Sequence, residues 1–179
     1  MRTSILALAI AVLIPASASA DSFVPVPDLG AKADTAGLEI RFVRYTGGTN
    51  GEMIVDVKNT AKRTKSFTAE GIYFVPKGDP EAAPQRLGAA GPFELVRSGQ
   101  RKSQEKIALA PGKTERLHLA VFCIDSHRSS PQATHQFAIS KKRMPAKLRR
   151  KISSGTKQII RNNKGDAKAR RSKSAIQSH

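Results

Sequence analysis

The segment FCIDSHRSSP, residues 122–131, gathers the chain's single cysteine, Cys123, with Asp125, His127 and Arg128. A cysteine followed at short range by a histidine invites three chemistries. A blue-copper centre takes two His and one Cys with a weak axial Met, but no His precedes His118 and no Met follows His127 at a suitable distance. A structural zinc ion wants four ligands, which Cys123, Asp125, His127 and His135 supply only if strand ends converge. A nucleophilic cysteine needs an accessible thiolate and a base in reach. His135 is the candidate base, because it shares strand parity with Phe137 and Ile139 and would approach Cys123 from a neighbouring strand.

The strand that carries Cys123 weighs against all three. In TERLHLAVFCID, residues Leu117, Leu119, Val121 and Cys123 share one face, while Arg116, His118, Ala120, Phe122 and Ile124 share the other. Cys123 then points into the core, where desolvation disfavours its thiolate, and His118 lies across the sheet from it. SHRSSP reads as a turn in which Asp125 and Ser126 bond local backbone and Pro131 ends the run. Arg128 is left to solvent or to an anion. Other motifs fail sooner. PGKT lacks the first glycine of a phosphate-binding loop, since Ile107 stands there. The S-x-x-K pairs at Ser103 and Ser154 have no companion motifs, and Glu70, Asp79 and Glu94 form no recognisable pair. The residues assign no catalytic group, no metal and no cofactor.

Strands must position these side chains. LEIRFVRY alternates, with Leu38, Ile40 and Phe42 inward and Glu39, Arg41 and Arg44 outward. After a glycine-rich turn, MIVDVKN resumes with Met53, Val55 and Val57 inward and Asp56 and Lys58 outward. SFTAEGIYFVP contains Gly71, which predicts a bulge or a break between two short strands. Residues 77–92 hold three prolines and three glycines, predicting a long loop with at most a brief strand near Leu87. FELV is a short strand; EKIALAPGKTERLHLAVFCID reads as strand, tight Pro111–Gly112 turn, strand; THQFAIS is the last. About seven short strands with no helical period before residue 140 predict an all-β antiparallel sandwich over 37–140. Aromatic content of 5% with no Trp predicts a mostly aliphatic core.

The order of Asn59, Gly71, Phe74, Gln85, Leu87, Leu109, Pro111, Gly112, Cys123, Ile124, Asp125 and Pro131 resembles immunoglobulin-like sandwich domains of exported bacterial proteins. The resemblance covers residues 38–140 and implies an immunoglobulin-like fold and no activity.

The two ends differ in kind from this domain. Residues 1–20 carry Arg2, an apolar run from Ile5 to Ile14, and Ala18 and Ala20 at a small-residue cleavage site, the pattern of a secretory signal peptide. The run is about half the roughly 20 residues of a membrane-spanning helix, so an exported chain without a transmembrane segment is expected, periplasmic or extracellular. Residues 21–36 form an extended lead-in. The net charge of +17 is concentrated at the other end, where Lys141–His179 holds 14 Lys and Arg against one acid. Over 141–162, Met144, Leu148, Ile152 and Ile159 fall in one narrow helical arc, Pro145 suits a first turn, and Ser153, Ser154 and Gly155 weaken the middle. Residues 163–179 have the composition of a disordered polycation.

Chemistry therefore resides in charge. Lys141, Lys142, Arg143, Lys147, Arg149, Arg150, Lys151, Lys157, Arg161, Lys168, Arg170, Arg171 and Lys173 form the candidate anion-binding set. Near an anionic membrane each Lys or Arg contributes about 1 kcal/mol, so about six engaged side chains give micromolar-scale docking. Nucleic acid is disfavoured because residues 141–179 contain no Phe, Tyr or Trp for base stacking. An anionic envelope polymer, lipid head groups or an acidic protein are the expected partners. The leading expectation is a non-enzymatic exported accessory module docking through its basic tail. The alternative is a protein-interaction module that recruits a partner at an exposed sheet edge, the tail being incidental; a hydrolase using Cys123 and His135 comes third.

Overall fold

The computed structural model describes residues 22–28, 35–48, 51–152 and 154. The expected signal peptide and the polycationic tail lie outside the described residues, as do Lys157, Arg161, Lys168, Arg170, Arg171 and Lys173.

The described chain is an antiparallel all-β fold with ten strands: β1 (Val24–Pro25), β2 (Leu38–Tyr45), β3 (Glu52–Asn59), β4 (Lys65–Phe67), β5 (Tyr73–Pro76), β6 (Leu87–Arg97), β7 (Gln100–Gln104), β8 (Ile107–Leu109), β9 (Thr114–Cys123) and β10 (Phe137–Ile139). One eight-stranded sheet runs β1-β2-β3-β9-β6-β5-β10, with β7 added beside β6; β4 and β8 make a separate two-stranded ribbon. The sheet curls until Phe137 of β10 meets Phe42 and Tyr45 of β2, at ring separations of 6.0 and 5.7 Å. This barrel-like closure differs from two facing sheets of similar size. The ribbon packs into the same core through Phe67, Ile107 and Leu109, with Phe67 6.0 Å from Phe93.

Strands β2 and β3 fall where their period placed them, but a bulge between Phe42 and Arg44 turns Arg44 out and Tyr45 in, and Asp56, expected outward, is buried beneath Arg41 and Arg116. Gly71 does separate β4 from β5. Two segments differ. The brief strand expected near Leu87 and the separate strand FELV prove to be one, since β6 begins at Leu87 and runs for 11 residues. Its GAAGP sequence reads as loop, yet both faces of this stretch are covered, and only small side chains fit there. Register slips between Ala89 and Phe93, so Pro92 sits in a bulge where its missing N–H costs no ladder bond. Below the bulge β6 pairs with β5, and above it with β7. Strand β7, QRKSQ, has no apolar period to reveal it; a two-residue turn makes it, Ser98 and Gly99 both having positive φ, as a type I′ hairpin requires.

The core is also less aliphatic than composition implies. Six of the seven phenylalanines are buried, namely Phe42, Phe67, Phe74, Phe93, Phe122 and Phe137. Asn59, wholly buried, closes the end of β3: Nδ2 donates to the Arg63 and Leu109 carbonyls at 2.9 and 2.7 Å, and Oδ1 accepts from the Ala61 N–H at 2.9 Å. The Pro111–Gly112 turn docks there too, through Gly112 N–H to the Asn59 carbonyl. It is a corner between ribbon and sheet, since β8 pairs with β4 and not with β9.

A charged cleft at the end of β9 and a seated basic helix

Strand β9 obeys its parity up to its end. Leu117, Leu119 and Val121 are buried in the main core, and half-buried Cys123 packs against it. Burial and the nearby Cys123 push the Tyr45 hydroxyl up to about 12. His118 lies on the opposite face, its Nδ1 3.1 Å from Glu52 Oε2. His135 is not brought to Cys123. Strand β10 borders β5, so β6 and β5 stand between it and β9, and His135 Nδ1 accepts the Gln132 N–H at 2.8 Å within a local turn. Among the described residues no three His, Cys, Asp or Glu side chains are grouped to hold a metal ion.

The residues just past Cys123 do more than turn the chain. Pairing of Leu87 with Cys123 brings Arg86 alongside Asp125. Arg86 Nε and Nη2 donate to the two Asp125 carboxylate oxygens at 2.7 and 2.6 Å, and the Arg86 N–H adds a bond at 3.0 Å. Those bonds, against the cost of burial, hold the Asp125 carboxyl below the ordinary carboxylate range and raise the Arg86 guanidinium further. Arg86 also lies 5.2 Å from the centre of the Tyr73 ring. Arg128, expected to face solvent or an anion, is braced: Nη1 donates to the Pro80 and Ala83 carbonyls at 2.7 and 3.1 Å. Gln85 adds a second tie, its Nε2 donating to the Arg128 carbonyl at 2.9 Å. Between the 76–86 loop and the 125–128 turn lies a cleft of about 360 Å³, lined by Val75, Pro76, Gly78, Pro80, Ala83, Pro84, Arg86, Asp125, His127 and Arg128. Its partners lie some 40 residues apart in sequence, for example 39 between Arg86 and Asp125, so no local spacing announces them.

The described part of the basic segment is seated on the sheet. Residues 146–152 form a helix following Pro145. Met144 and Ile152 are buried against Ala90 and Phe122, with Leu148, Tyr73 and Ile124 around them. This is the outer face of β6 and β9, opposite the main core, and it explains why the even-numbered Phe122 is buried. Gly88 makes room for the contact, since a Cβ there would lie 2.3 Å from Met144 Sδ.

The basic residues divide accordingly. Lys141, Lys142, Lys147, Arg150 and Lys151 are exposed, whereas Arg149 is half-buried and 3.5 Å from Glu70. Arg143 departs from the expectation of a surface anion contact. It is turned inward, donating from Nε to the Pro27 carbonyl at 2.7 Å and from Nη1 to the Thr68 and Glu70 carbonyls. Its Nη2 is buried without a hydrogen-bond partner among the described residues. Burial lowers this guanidinium to about 10. No helix among the described residues is long and apolar enough to cross a membrane.

Fold and site together define an antiparallel all-β domain with a basic helix packed on its outer face and a charged cleft at one end. No known protein family, curated protein or solved structure matches this chain.

Proposed function

We propose that this chain is an exported, non-enzymatic accessory module, akin to immunoglobulin-like exported domains, that docks on anionic envelope surfaces through its basic C-terminal segment. One observation carries the reading. The apolar stripe of the helix is occupied by the sheet, so Lys141, Lys142, Lys147, Arg150 and Lys151 face solvent from a fixed support. A cationic surface whose apolar side is already buried attracts by charge and does not insert. Recruitment of a partner strand is less favoured: β10 is closed against β2 by Phe137, and the edge strand β7 carries Lys102, which opposes addition of another strand.

Binding to vesicles containing anionic lipid and to a soluble polyphosphate, measured over a salt series, tests the proposal. The variant Lys147→Glu, Arg150→Glu, Lys151→Glu should bind vesicles about a hundredfold more weakly than the parent chain, at about 1 kcal/mol per cation. Equal binding, or binding indifferent to salt, refutes it.

A further inference from the structure

We infer that the cleft between Arg86 and Arg128 binds a small apolar carboxylate, a ligand of N-acyl amino acid size. Charge balance is the first argument. Asp125 is matched by Arg86, whereas the bonds of Arg128 go to two neutral carbonyls. One guanidinium charge therefore stands uncompensated on the cleft wall, beside exposed His127. Arg128 spends only Nη1 on those carbonyls, and among the described residues Nε and Nη2 have no partner. Those two nitrogens form the planar fork that matches a carboxylate.

Rigidity is the second argument. A fork held from behind by backbone carbonyls is already oriented, so a ligand does not have to order it. The Gln85 tie and the prolines at 76, 80 and 84 stiffen the same wall. The remaining wall is apolar, from Val75, Pro76, Ala83 and Pro84, which suits an organic tail better than a bare inorganic anion. The volume of about 360 Å³ lies at the small end of ligand clefts. Asp79 and Glu81 share the loop but do not line the cleft, and Asp79 Oδ1 accepts the Glu81 N–H.

Residue-resolved NMR titration of the full chain tests this, in about 150 mM salt to screen the basic segment. N-acetylleucine should shift the amides of Arg86 and residues 125–128 saturably; N-acetylleucinamide and inorganic phosphate should not. Arg128→Gln should weaken binding by about tenfold or more. Because that change also loosens the loop, Val75→Asp is the second variant: Val75 is exposed on β5, and an acid there repels the ligand without disturbing the core. The inference fails if N-acetylleucine gives no saturable shift, if the neutral amide or phosphate shifts the same amides equally, or if Val75→Asp binds as the parent does.

Discussion

Asp125 holds Arg86 through both carboxylate oxygens, at 2.7 and 2.6 Å, with the acid 7% and the guanidinium 47% exposed. The pair fastens the start of β6 to the end of β9 and forms one wall of the cleft. Because the cation keeps a solvated edge, it can rehydrate when its partner is lost.

Asp125→Asn should therefore lower stability by about 2 kcal/mol at neutral pH, the scale of hydrogen bonds to a charged group. The folded carboxyl titrates below its unfolded value of about 3.9. Its contribution is then complete above that unfolded value and is lost as pH falls through the folded one. Chemical denaturation from pH 7 to pH 2 should show the parent converging on the variant in acid; a constant gap contradicts this.

Asp56 should behave in the same sense. Burial pushes its carboxyl up, but hydrogen bonds from Arg116 and Arg41 outweigh that and leave it below the ordinary range. Its two arginines come from β9 and β2, so Asp56→Asn should unfold at lower denaturant at pH 7 and lose that difference in acid.

Arg143→Gln should cost about 2 kcal/mol by equilibrium unfolding, since three backbone carbonyls lose a charged donor. Arg143→Lys should not restore the loss, because a single ammonium cannot reproduce the fork. Full rescue by lysine would show that charge alone matters there.

Gly88→Ala should release the helix and spare the barrel. The added methyl group would lie 2.3 Å from Met144 Sδ, the flexible end of that side chain, so Met144 must move from its seat, at a cost toward the low end of the about 1–3 kcal/mol of overpacking. Hydrogen exchange should quicken for amides 144–152 while β2, β3 and β9 keep their protection.

Periodicity was enough to locate β2, β3 and most of β9, because each alternates apolar core residues with polar ones, even where Ile54 and Asp56 on the outer face of β3 are covered as well. It found the FELV end of β6 but failed over residues 88–92, where small residues between two covered faces carry no alternation, and at β7, whose polar sequence is ordered by the Ser98–Gly99 turn. The apolar arc of Met144, Leu148 and Ile152 was legible as a helix face, and the structure supplies what it faces. Asp125 was legible as a turn residue or a candidate zinc ligand, and Arg128 as a cation open to solvent or an anion. Their partners at 86, 80 and 83 come from a loop that strand pairing alone brings near.

Arg143 gives the molecule a mechanical character. It grips the N-terminal segment at Pro27 and the connection between β4 and β5 at Thr68 and Glu70, directly ahead of the helix. Any pull on the basic end must first peel Ile152 and Leu148 from the sheet and then arrives at this anchor. Force is thereby shared between two distant stretches of chain before any β-ladder must shear.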